Sequence, residues 1–129
     1  MELICLNILG GRKTEKFLSF LKNKSEVDIF CLQEVFDNGK CTRPVMEGSN
    51  MMIFEEINNV LKEHRGYFAP HQNEEEGIAL FVKRNLIAEE YNDIFVHRYK
   101  NAMINNHGGE LGRNIQKIKL KLGNRYVNV

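Results

Sequence analysis

Asp28-Ile29-Phe30-Cys31-Leu32-Gln33-Glu34-Val35 is the stretch on which the fold turns. Val27 to Val35 is apolar almost without a break before it meets Gln33 and Glu34. Such a run reads as a strand covered on both faces. A second short apolar run, Glu2 to Leu9, is interrupted by Asn7 and closed by Gly10-Gly11, which reads as a strand ending in a turn. Between them, Thr14 to Asn23 places Phe17, Leu18 and Leu21 on one helical face and Lys13, Lys16 and Lys22 elsewhere. Strand, helix, strand implies a right-handed crossover and two parallel strands in an α/β fold.

Downstream, Asp37 to Asn50 is rich in Gly, Asn, Pro and charge and reads as a loop. Ile53, Phe54, Ile57, Val60 and Leu61 keep helical spacing, so a helix is expected over Met51 to His64, with Gly66 as its C-terminal cap and His64 on the surface. Tyr67 to Pro70 and Ile78 to Lys83 read as strands, with Glu74-Glu75-Glu76 as a solvated turn between them. Ile87 to Arg98 holds one or two more strands, and Lys100 to Gly112 is a polar loop containing His107. His71, after Pro70, reads as a loop residue. From Ile115 to Leu122, lysines at 117, 119 and 121 alternate with Ile118, Leu120 and Leu122, a half-exposed strand. Gly123-Asn124 turns into a last strand, Arg125 to Val129, so residue 129 is expected to fall within a β-hairpin.

The 129 residues suit one domain, with 43% hydrophobic and 27% charged residues. A net charge of +1 gives no footprint of a nucleic-acid binder. No segment has the length of a membrane span or the form of a secretion signal. Cys5, Cys31 and Cys41 are odd in number and lack the CxxC spacing, so they read as reduced thiols in a cytoplasmic protein.

Two polar residues stand out by position. Asn7 lies near the carboxyl end of the first strand and Glu34 at the carboxyl end of the second, where sites form in open α/β sheets. Taken singly, such a Glu is commonly a solvated loop residue and such an Asn a turn former. Together they offer hard oxygen ligands suited to Mg²⁺, which takes one or two carboxylates and keeps several waters.

The segments Leu3-Ile4-Cys5-Leu6-Asn7 with Gly10-Gly11, Asp28 to Val35 with its Leu-Gln-Glu, Gly77-Ile78-Ala79-Leu80-Phe81-Val82, and Arg113-Asn114-Ile115-Gln116 resemble, in order, motifs of the endonuclease/exonuclease/phosphatase family. The resemblance implies the N-terminal half of a two-sheet α/β sandwich with mixed sheets and flanking helices. It implies Glu34 as ligand of the catalytic metal, Mg²⁺ or alternatively Mn²⁺, and Asn7 as a metal or phosphate contact. It implies Gln33 as a supporting residue and hydrolysis of a phosphate ester or phosphodiester, nucleic acid among the possible substrates.

The family's Asp-x-Asn and Ser-Asp-His motifs are absent, and none of His64, His71, His97 or His107 stands in that context. Residues 1–129 are therefore expected to be a partial domain, inactive alone. The alternatives are a catalytically inactive interaction module, or a fragment pairing with a complementary chain or a second copy through exposed strand edges. The strip Arg113, Lys117, Lys119, Lys121 and Arg125 reads as a solvated, edge-protecting strand face ahead of a phosphate contact.

Overall fold

The computed structural model describes residues 1–37, 45–72, 75–97 and 112–129. Cys41, Glu74, His107, half of the expected loop Asp37 to Asn50 and all but Gly112 of the expected loop Lys100 to Gly112 lie outside the described residues.

Among the described residues, seven strands and two α-helices follow one another as β1 (Leu3–Asn7), α1 (Thr14–Asn23), β2 (Ile29–Phe36), α2 (Ile53–Val60), β3 (His64–Gln72), β4 (Glu76–Lys83), β5 (Ile87–His97), β6 (Arg113–Leu122) and β7 (Arg125–Asn128), with a short 3-10 turn at Leu9–Gly11 after β1. The first sheet has the order β1-β2-β4-β3 and the second β5-β6-β7. β1 and β2 run parallel, with Cys5 opposite Cys31 and Asn7 opposite Gln33, as the strand–helix–strand reading requires. Every other pairing is antiparallel, so the first sheet is mixed and the second is not.

Alternation along the strands of the first sheet builds two cores. Phe30, Leu32, Ala79 and Phe81 point to one face and bury Leu21 of α1 and Ile53 and Ile57 of α2. Ile29, Leu80 and Val82 point to the other and meet Ile118 and Leu120 of β6. The layers are thus helices, mixed sheet and antiparallel sheet. This explains the unbroken apolar run in β2: both of its faces are covered. In β6, Ile118 and Leu120 are buried while Lys117 and Lys121 are exposed.

Several local expectations fail where tertiary contacts outweigh local periodicity. The second helix stops at Val60, and Leu61 leaves helical geometry at φ −91° and ψ 56°. His64 then begins β3 opposite Lys83, and the residue is 1% exposed. It contacts Val27 O at 2.8 Å through Nε2 and lies 5.6 Å from the Phe30 ring. Gly66 is therefore a strand residue and no helix cap. A Cβ there would come within 2.7 Å of Asn58 Oδ1 and 2.9 Å of the Phe81 ring.

His71 lies within β3 and is buried rather than in a loop. Glu75 stands in the expected turn but is buried, and Glu76 opens β4, so neither is a solvated turn residue. Finally, β6 is the central strand of its sheet, so its lysines guard no edge. Lys119 instead pairs with Glu90 at 3.2 Å and sits 4.7 Å over the Tyr126 ring.

Candidate metal-binding site

The rim of the first sheet at the carboxyl ends of β1 and β2 carries the two residues singled out by position. Asn7 is the last residue of β1. Ile8 N–H continues the pairing by donating to Gln33 O at 3.1 Å. The chain then turns sharply, with positive φ at Leu9 (50°), Gly10 (62°) and Gly11 (73°). Leu9 N–H donates to Asn7 Oδ1 at 2.8 Å, the Asx-type bond that an Asn at a strand end commonly makes.

That bond orients the Asn7 amide. With Oδ1 engaged by Leu9, the amide nitrogen faces the neighbouring strand and donates to Glu34 Oε1 at 2.8 Å. Asn7 and Glu34 are therefore brought together, as their strand positions suggest. Their division of labour differs from a pair of equivalent oxygen ligands: Asn7 presents N–H to the carboxylate and holds it.

Glu34 is also set apart by its backbone. It has φ 55°, in the left-handed region that a residue with a side chain rarely adopts. The register with β4 explains why. Gln33 faces Ile78 and Val35 faces Gly77, so Glu34 is an extra residue in β2, a β-bulge. Without the bulge, alternation from Phe30 and Leu32 would aim residue 34 into the helix-side core. With it, Val35 fills that core and Glu34 stays half-buried at the rim, within reach of Asn7. A single inserted residue thereby converts a core position into a site position.

Gly77 meets this bulge. A Cβ on Gly77 would collide with Ala69 O and stand 2.7 Å from Pro70 Cα. Only a glycine lets β3 and β4 close together beside Val35. The glycine that begins the Gly-Ile-Ala-Leu-Phe-Val segment thus has a steric reason.

Next to Asn7, Arg12 and Lys13 line an open groove of about 280 Å³ with Leu6, Leu9 and Phe17. Arg12 Nε donates to Glu47 O at 3.0 Å. Sequence reasoning missed both cations, because nothing in the spacing of Arg12 and Lys13 distinguishes them from surface charge. Farther along the sheets, Asn114 Nδ2 donates to Asp93 Oδ1 at 2.7 Å and to Ala69 O at 3.2 Å. Gln116 Nε2 donates to Tyr67 O at 2.9 Å and Tyr91 Oη at 3.0 Å, joining the two sheets. Burial raises the Tyr91 hydroxyl above its usual pKa.

Among the described residues, no group of three or more His, Cys, Asp and Glu side chains is arranged to hold a metal ion. Gln33 is exposed and lines a groove with Cys5 and Cys31. His97 closes β5 on the surface. No helix of the described residues is long and apolar enough to cross a membrane.

No family model and no curated protein sequence matches the chain. Solved structures do match its fold. An endonuclease/exonuclease/phosphatase from Bacteroides vulgatus aligns with a TM-score of 0.63 at 16% identity, over 92% of this chain and 46% of that one. A humanized D. rerio TDP2 aligns with a TM-score of 0.66 at 10% identity, over 98% and 44%. An endonuclease/exonuclease/phosphatase family protein from Leptotrichia buccalis aligns with a TM-score of 0.65 at 13% identity, over 99% and 52%. The chain spans about half the length of these structures and shares their fold over that span.

Proposed function

We propose that Glu34, held by Asn7, is the divalent-cation ligand of a phosphoester-hydrolysing site of the endonuclease/exonuclease/phosphatase kind. The observation that carries this reading is the bulge. A carboxylate in a strained left-handed conformation, fixed by a designated hydrogen bond at the rim of the sheet, is what a functional position looks like.

The donor set fits Mg²⁺. It offers one hard anionic oxygen ligand, half-buried and held by an amide, the kind of donor that Mg²⁺ takes while keeping several waters. Mn²⁺ suits the same ligand. One Glu34 oxygen accepts from Asn7 and the other is left to meet the ion. The bound ion would polarise a phosphoryl oxygen and offset charge developing on it and on the leaving oxygen. Asn7 serves as the residue that keeps the carboxylate aimed. Arg12 and Lys13, in the adjoining groove, add positive charge where a phosphate ester or a nucleic-acid backbone would lie.

In this reading, residues 1–129 are one part of a domain. The solved structures it resembles are about twice as long, and in this reading a base and further ligands are supplied by residues outside 1–129. The chain by itself binds the cation weakly and does not turn over substrate. The cytoplasm, where thiols stay reduced, is the proposed location, supported by the free Cys5 and Cys31.

A second reading is favoured by exposed apolar surface. Leu3 (44%), Leu6 (37%) and Ile115 (48%) are exposed, and β1 and β7 are edge strands. An inactive interaction module, or a fragment completed by a complementary chain or a second copy, would use those edges.

Titration of the purified chain with Mn²⁺, followed by electron paramagnetic resonance, tests the metal assignment, with Glu34→Gln as the control. Saturable binding lost in Glu34→Gln supports it, and binding unchanged by the substitution overturns it. Mg²⁺-dependent hydrolysis of several phosphodiesters by the 129-residue chain, abolished by Glu34→Ala, would sink the inactivity claim and keep the site.

A further inference from the structure

We propose that Cys5 and Cys31 form a reversible oxidation site, which hydrogen peroxide closes into a disulfide across β1 and β2. The two cysteines are 26 positions apart in sequence, yet they are register partners on adjacent parallel strands. Both line one groove of about 330 Å³, with Leu80, Ile115 and Val129 around them, so both thiols lie on the same face of the sheet. Both are free. Their environments differ in the way that a two-step oxidation needs. Cys5 is exposed and meets the oxidant; Cys31 is half-buried beside it.

Geometry permits the bond at a cost. Paired strands run about 4.7–4.9 Å apart, inside the Cα separation that a disulfide spans, about 4.4–6.8 Å. Side chains in register on parallel strands point the same way. Their Cβ atoms thus stand near the strand spacing, slightly beyond the usual 3.5–4.5 Å of a disulfide. Closure therefore requires one strand to shift. β1 is five residues long and, among the described residues, is paired on one side only, so it is the strand able to shift. A bond made under such strain and near solvent is easily reduced again, which marks a labile disulfide rather than a structural one.

The chemistry balances with peroxide as the oxidant. The Cys5 sulfur attacks one peroxide oxygen, the O–O bond breaks, and Cys5 becomes a sulfenic acid as one water leaves. The Cys31 sulfur then attacks the Cys5 sulfur. The S–S bond forms, the S–O bond breaks, and the departing hydroxide takes the Cys31 proton as a second water. Two thiols are oxidised and one peroxide is reduced to two waters. Burial, reinforced by the neighbouring Cys5, pushes the Cys31 thiol up to about 11, which leaves the first attack to Cys5. This inference does not rest on the metal assignment.

The test uses the unaltered 129-residue chain. It is treated with hydrogen peroxide, alkylated, digested without reduction and analysed by mass spectrometry. The expected product is a cross-linked pair of peptides containing Cys5 and Cys31, from a monomeric chain, lighter by two hydrogens than the free peptides. Dithiothreitol returns both thiols, and Cys41→Ser gives the same cross-link. Alkylation of both Cys5 and Cys31 after peroxide overturns the proposal. So does Cys5 found only as a sulfinic acid, joined to Cys41, or joined to a second chain.

Discussion

Asn7 and Glu34 stand 27 residues apart in the chain and meet at 2.8 Å, amide nitrogen to carboxylate oxygen, across the ends of two parallel strands. The contact is built from both sides. Leu9 N–H occupies the Asn7 oxygen, and a bulge swings Glu34 out of the helix-side core.

If Asn7 aims the carboxylate, its loss weakens the cation site without removing the ligand. Asn7→Ala is expected to reduce Mn²⁺ affinity by roughly tenfold, the usual effect of removing a partner that orients a ligand. Glu34→Gln is expected to abolish it. Parallel titrations of the two variants check the ordering, and equal losses would count against the division of roles.

The left-handed backbone of Glu34 predicts an unusual stability pattern. Glu34→Ala keeps the strained φ and loses the Asn7 bond, whereas Glu34→Gly relieves the strain. The glycine variant should be the more stable of the two by about 1 kcal/mol, measured by urea unfolding. An alanine variant as stable as the glycine variant would show that the bulge carries no strain.

Gly77→Ala forces a methyl group against Ala69 O and Pro70 Cα, both backbone atoms that cannot rotate away. A loss of about 3 kcal/mol in urea unfolding is expected. Because Gly77 faces Val35, the same substitution should also weaken cation binding at Glu34.

His64 predicts a pH dependence. Burial lowers its pKa below 6.5, and nearby Lys83 adds to this, against the raising effect of its bond to Val27. Between the lowered folded value and 6.5 the unfolded chain holds more protons than the folded one. Stability therefore rises with pH through that window. The contribution is complete above 6.5 and declines as pH falls below it. Urea midpoints of the wild type and His64→Gln, compared at pH 5 and pH 7.5, should diverge less at the lower pH. A constant difference would sink the assignment.

Much of the site was legible along the chain. The apolar run ending in Gln33-Glu34, and the shorter one ending at Asn7, are sufficient to set two strands side by side with their polar ends on one rim. The crossover between them needs only α1, whose bounds, Thr14–Asn23, follow from where Phe17, Leu18 and Leu21 repeat. What misled was the helix at Met51 to His64. Its periodic residues are real, but β3 pairs with β4 from His64 onward and takes that residue into the core.

The sequence by itself thus determined the α/β order, the parallel pair and the candidacy of Asn7 and Glu34, because strand and helix periods and turn residues act over a few neighbours. The tertiary structure alone decided that Glu34 is a bulge residue, that Asn7 turns its nitrogen to it, and that Cys5 lies beside Cys31. It also decided that His64 is buried. Each of these depends on register or close approach between segments distant in sequence, and a one-residue change in register sends a side chain to the other face of the sheet.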